Sequence, residues 1–189
     1  MTFEEDLRNA VKIVRDGKVI LYPTDTVWGL GCDATNPAAV ARIFSIKARA
    51  DSKSLIVLVN NEFMLQRYVR EIPDAASQIT GTADRPVTII YPSGRNLAEG
   101  VSAEDGSTGI RITSDPFCSE LIGRLRKPIV STSANISGES SPGHFGEISR
   151  AIIDSADYVV WYRRNDRQKH ISSPVIKVEL NGEIKIIRK

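Results

Sequence analysis

The sequence predicts an α/β fold: a twisted, open, mixed sheet with helices packed against it. Three observations carry this. Apolar runs of strand length alternate with segments of helical spacing. One run, Leu55-Ile56-Val57-Leu58-Val59, is continuously apolar, as in a strand buried on both faces. The tail holds two apolar runs joined across Asn181-Gly182, an antiparallel hairpin signal that a purely parallel sheet would lack.

The elements follow in order. Thr2 and Glu5 form a capping box, and Leu7, Ala10, Val11 and Val14 continue at helical spacing until Gly17. Residues 18–22 are a strand that breaks at Pro23 into Thr24-Asp25-Thr26-Val27-Trp28-Gly29-Leu30-Gly31. A rigid sheet fixes the loop after such a strand, and ligand groups gather there. Asn36-Pro37 opens a helix with Val40, Ile43 and Phe44 on one face, and Lys47-Ala48-Arg49 lies at its exit. Residues 61–70 and 74–82 read as polar helices, 87–91 as a strand and 93–106 as a loop. Residues 108–113 form a short strand carrying Arg111. Asp115-Pro116 repeats the helix-start signal, ahead of Leu121, Ile122 and Leu125. Ile129-Val130 begins a strand that runs into Ser131-Thr132-Ser133-Ala134-Asn135. A helix over 145–155, a strand over 158–162 and the pairing of 175–180 with 183–187 complete the chain. No internal repeat or low-complexity linker interrupts it, so residues 1–189 read as one domain.

Composition narrows the function. Apolar residues make up 41% and charged residues 25% of 189, which is ordinary globular usage. The net charge of +2 requires no nucleic-acid partner, so any basic surface is local. The acidic start, Met1-Thr2-Phe3-Glu4-Glu5-Asp6, is no signal peptide, and no apolar run spans a bilayer. Cys32 and Cys118 stand far apart, which argues against a disulfide framework or a zinc site and fits a cytoplasmic protein.

Four polar clusters follow apolar strands or a helix exit: Thr24–Thr26, Lys47 with Arg49, Ser107–Arg111 and Ser131–Asn135. Arginine grips a phosphate or carboxylate with parallel hydrogen bonds, and lysine adds a point charge. Hydroxyls and an amide suit phosphate oxygens, a sugar or a carboxylate. Each cluster alone has a plain alternative: cations at a helix end, an exposed strand arginine, a Ser/Asn turn. Jointly they describe a site for an anionic, polar small molecule. There is no GxxxxGK[ST], GxGxxG or GxSxG, and His144 and His170 lack ligand spacing, so no metal site is expected.

Pro23-Thr24-Asp25-Thr26-Val27-Trp28-Gly29-Leu30-Gly31, then Lys47-x-Arg49, then Ser133-x-Asn135 within Ser131–Gly138, resemble the YrdC/TsaC family of threonylcarbamoyl-AMP synthases over nearly the whole chain. The resemblance implies a sheet around a basic concave cavity. It also implies synthesis of threonylcarbamoyl-AMP and pyrophosphate from L-threonine, bicarbonate and ATP, for threonylcarbamoyladenosine modification of tRNA. By position it implies that Lys47 and Arg49 are catalytic. Arg49, Lys53, Ser107, Ser133, Asn135, Ser141 and Arg188 would bind ATP. Thr24, Thr26, Arg111, Ser131 and Ser173 would bind threonine, with Ser173 and Arg188 closing over the site from the tail hairpin. Mg²⁺ would be held mainly by the phosphates. The implied partners are a tRNA-modifying transferase complex that accepts the adenylate and, further, tRNA or double-stranded RNA. Ala50 and Ser54 replace residues common in the family, proline at the first and proline or glycine at the second.

Two other readings compete. Trp161-Tyr162-Arg163-Arg164-Asn165-Asp166-Arg167-Gln168-Lys169 mixes aromatic and basic residues, as in a non-catalytic RNA-binding module, or is a solvated loop. A sugar-phosphate enzyme of similar fold would need acidic metal clusters, which Asp25 alone does not supply.

Overall fold

The computed structural model describes residues 1–48 and 54–189. The helices start where the sequence places their caps. Thr2 and Glu5 bond reciprocally ahead of α1 (Phe3–Arg15), Asn36 caps α2 (Pro37–Ile46) and Asp115 caps α5 (Pro116–Leu125). Asn61 caps α3 (Glu62–Tyr68), and α4 spans Asp74–Thr82. Gly17 leaves α1 with φ at +75°, a conformation glycine adopts without steric penalty.

The strands are β1 (Ile20–Tyr22), β2 (Gly29–Gly31), β3 (Ile56–Val59), β4 (Thr88–Tyr91), β5 (Thr108–Ile112), β6 (Ile129–Ser133), β7 (Tyr158–Val159), β8 (Val175–Val178) and β9 (Ile184–Arg188). Among the described residues they form one nine-stranded sheet in the order β7-β1-β2-β6-β3-β5-β4-β8-β9. It is mixed as expected: β1 with β7, β3 with β5 and β4 with β8 run parallel, and the other neighbours run antiparallel. Val57, Leu58 and Val59 are fully buried, in line with their unbroken apolar pattern. The Asp6 carboxylate, buried in α1, accepts bonds from Tyr158 Oη at 2.6 Å and from the amides of Trp161 and Tyr162 at 2.8 and 2.7 Å, fastening the end of β7 to the helix.

Four expectations are corrected. The segment after Pro23 is not all loop: Gly29-Leu30-Gly31 is an interior strand between β1 and β6. Glycine is a poor strand former, but contact decides here. A Cβ on Gly31 would lie 2.5 Å from the Tyr22 ring and 2.8 Å from the Val130 carbonyl. The helix over 145–155 is two pieces, a 3-10 turn at Phe145–Glu147 and α6 (Arg150–Ser155), because Ser149 turns extended and caps the second. The strand over 158–162 ends at Val159, where the chain turns to meet Asp6. The tail hairpin closes with a three-residue loop, Leu180-Asn181-Gly182. Gly182 N bonds Glu179 O at 3.0 Å and Gly182 has φ at +85°, the geometry of a turn followed by a left-handed glycine.

Gly31→Ala is expected to lower stability by about 1–3 kcal/mol through overpacking against Tyr22 and the β6 backbone. Denaturant melts of the two proteins read this directly, and equal midpoints would refute the packing role.

Candidate active site

Strand register gathers the polar clusters on one face. Ile56 pairs with Ser131 and Leu58 with Arg111, so alternation places Arg111, Ser131 and Ser133 on the same side of the sheet. Thr88 pairs with Val175 and Val175 with Arg188, which carries the same face to the last strand. Over this face lies a cavity of about 200 Å³ lined by Thr26, Arg111, Ser131, Ser133, Ser173 and Arg188, among others. A second hollow of about 190 Å³ shares Thr26, Ser172 and Ser173 with it and reaches Asp25.

The two arginines dominate the electrostatics. Arg111 is 3% exposed. Its Nη1 donates to Ser173 Oγ at 3.2 Å, and its Nη2 lies 2.9 Å from Asp25 Oδ1. That contact is a charge pairing alone, since neither Asp25 oxygen accepts a hydrogen bond. Arg188 donates Nε and Nη2 to the Ser173 carbonyl at 3.1 and 2.8 Å. Partial burial, and secondarily the nearby Arg111 charge, pulls the Arg188 guanidinium below its ordinary pKa. Two cations that repel each other across hydroxyl groups suit an anion entering between them.

The loop before β2 is held from several sides. Thr24 Oγ1 donates to Val27 O at 2.8 Å and accepts from Thr26 N at 3.0 Å, so Thr24 shapes the turn while Thr26 faces the cavity. Arg163 Nη1 donates to Thr24 O at 2.9 Å and lies 3.3 Å from the Asp115 carboxylate. Cys118 Sγ donates to Pro23 O at 3.3 Å; burial first, then the charges of Asp115 and Asp25, pushes this thiol well up in pKa and keeps it neutral.

Lys47 ends α2 and is 2% exposed. Its Nζ donates to Ser133 O at 2.6 Å and Asn135 O at 2.7 Å, so it clasps the backbone at the end of β6 from outside the cavity lining. The Asn135 amide donates to Ile136 O and Glu139 O, both at 2.9 Å, while its buried Oδ1 has no partner. Ser107 is buried beside Asp105 and Ser141 is exposed; neither lines the cavity. Ser173 lies in the segment before β8, not in the hairpin itself. Arg49 and Lys53 lie outside the described residues.

Sequence reasoning missed two site residues. Asp25 carries no assigned role in the sequence, although an acid between two threonines after a strand is the signal that could have marked it. The sequence offers Arg163 as part of an RNA-binding stretch or of a solvated loop, and no local pattern reveals that it holds the Thr24 backbone 139 positions away. Of the loop's other cations, Arg164 is also bonded internally. Arg164 bonds Val159 O and Val160 O and stacks on Trp161 with its guanidinium carbon 4.2 Å from the ring centroid. His170 meets Arg163 at 2.9 Å and His144 meets Glu147 at 3.4 Å. Among the described residues there is no cluster of three His, Cys, Asp or Glu able to hold a metal, and no helix long and apolar enough to cross a membrane.

Comparison with known proteins shows a family and a fold. The Sua5/YciO/YrdC family model, described as "Telomere recombination", matches residues 12–189. The chain is similar to a threonylcarbamoyl-AMP synthase of Pseudomonas aeruginosa, 41% identical over 152 residues, covering 80% of this chain and 82% of that one. It is 32% identical over 163 residues to the threonylcarbamoyl-AMP synthase of Pseudoalteromonas translucida, covering 85% and 87%. Its fold matches P. abyssi Sua5 complexed with L-threonine at a TM-score of 0.81 and 26% identity, covering 91% of this chain and 50% of that one. The chain thus spans half the length of that Sua5 structure.

Proposed function

The chain belongs to the Sua5/YciO/YrdC family, and on that premise we propose that it is an L-threonylcarbamoyladenylate synthase. It joins L-threonine, bicarbonate and ATP into threonylcarbamoyl-AMP and pyrophosphate, and the adenylate supplies a cytoplasmic transferase complex that modifies tRNA. The observation that carries this reading is the convergence of Thr26, Arg111, Ser131, Ser133, Ser173 and Arg188 on one cavity.

The chemistry needs positioning and charge neutralisation more than a covalent nucleophile. The threonine amine, as the free base, condenses with bicarbonate with loss of water, or adds to bound carbon dioxide with loss of a proton, and a carbamate oxygen then displaces pyrophosphate from the α-phosphorus. In this proposal Arg111 grips the threonine carboxylate, a planar anion that a guanidinium meets with two parallel bonds. Thr26, Ser131 and Ser173 supply hydroxyls around it. Ser133 and Asn135 face the nucleotide, and Lys47 positions both by fixing their carbonyls. Arg188, Arg49 and Lys53 neutralise the phosphates, while Ser107 and Ser141, which the family resemblance also assigns to ATP, stand outside the cavity lining. A divalent ion, if used, rides on the phosphate oxygens, since no acidic cluster among the described residues would cage it.

The internal bonding of Arg163 and Arg164 weighs against an RNA-binding module built on that loop. The test is direct: purified protein incubated with ATP, bicarbonate and labelled threonine should yield labelled threonylcarbamoyl-AMP and stoichiometric pyrophosphate by mass spectrometry. ATP hydrolysis without a threonine-bearing adenylate would reject the assignment.

A further inference from the structure

We propose that Asp25 is the residue that recognises the ammonium group of the amino-acid substrate, an inference that rests on the functional reading above and deepens it. The Asp25 side chain is 6% exposed and sits between the two threonines of the loop before β2. Among the described residues it is ion-paired with Arg111, at 2.9 Å. Both its oxygens are buried without a hydrogen-bond donor, and the Arg111 Nε beside them is a buried donor without an acceptor.

A buried pair that served the fold alone would have these capacities filled, because an unmet polar group costs about 1–3 kcal/mol and a charged one more. What is left open has a definite shape: donor capacity on a fixed cation next to acceptor capacity on a fixed anion. An α-amino acid carries the complementary pair, a carboxylate and an ammonium on one carbon. Laid against Arg111 and Asp25, it makes an alternating square of charge, with its carboxylate on the guanidinium and its ammonium on the Asp25 carboxylate. The hollows support this placement. Arg111 lines the first and Asp25 the second, and the two meet at Thr26, Ser172 and Ser173. Asp25 thereby selects amino acids over hydroxy acids of the same shape.

The experiment compares threonine with 3-hydroxybutanoate, which keeps the carboxylate and hydroxyl and lacks the amine. Binding of each is measured by calorimetry on the wild-type chain and on Asp25→Asn, alongside adenylate synthesis by the wild type. The expected result is that wild type prefers threonine by ~30-fold or more, and that Asp25→Asn brings the two ligands within about threefold. A merely structural role would weaken both ligands together and leave their ratio unchanged, which overturns the proposal. So does a wild-type chain that binds both equally, a measurement that does not require the variant to fold. If the wild type makes no adenylate, the functional reading itself fails and this inference falls with it.

Discussion

Replacing Arg111 by alanine is expected to weaken threonine binding on the order of 100-fold and to destabilise the protein by about 3–5 kcal/mol. The two effects have separate causes. Loss of affinity follows from removing the guanidinium that, in this proposal, holds the threonine carboxylate. Loss of stability follows from Asp25, whose buried charge is left without its partner at 2.9 Å. A second substitution separates them. In Arg111→Ala/Asp25→Ala no buried charge is stranded, so denaturant melts should recover most of the lost stability while threonine binding stays absent. If the double variant regained threonine affinity, or Arg111→Ala melted like the wild type, the pairing would be misjudged.

Lys47→Met is expected to cost about 3 kcal/mol in stability and about 100-fold in turnover. Methionine keeps an apolar stem of similar length and removes the ammonium. The carbonyls of Ser133 and Asn135 then lose a charged donor at 2.6 and 2.7 Å inside the protein. Lys47 lies behind the wall and not in the cavity lining, so the activity loss comes through displaced Ser133 and Asn135. Turnover should fall with little change in the threonine requirement, because Arg111 and Thr26 hang on other segments. Unaltered melting together with unaltered turnover would contradict the clasp.

Local chemistry made much of the fold legible. The caps at Thr2, Asn36 and Asp115 set three helix starts because a side-chain oxygen answers the first amides within three residues, a short-range matter. The buried strand at Ile56–Val59 was readable from unbroken hydrophobicity. Gly29–Gly31 was not, since its place in the sheet depends on the Tyr22 ring lying over it and on β6 beside it, and glycine announces neither. The break at Ser149 is a competition between helix continuation and a cap, which periodicity alone does not decide.

The site divides the same way. That Thr26, Arg111, Ser131, Ser133, Ser173 and Arg188 share a cavity was anticipated through family resemblance, for no spacing rule joins positions 26 and 188. The tie from Arg163 to Thr24 joins two loops, and the pairing of Arg111 with Asp25 joins β5 to the loop before β2, so both become visible only in three dimensions. Thr24 bonds to the Val27 carbonyl, and Lys47 to the carbonyls of Ser133 and Asn135, contacts that shape the backbone around the cavity.

The most direct test is a crystal structure of the chain with L-threonine and a non-hydrolysable ATP analogue. The expected result is an amino acid with its carboxylate on Arg111, beside Thr26 and Ser173, and a nucleotide against Ser133 with its phosphates toward Arg188. Ligands bound at any other surface, with this cavity empty, would contradict the account.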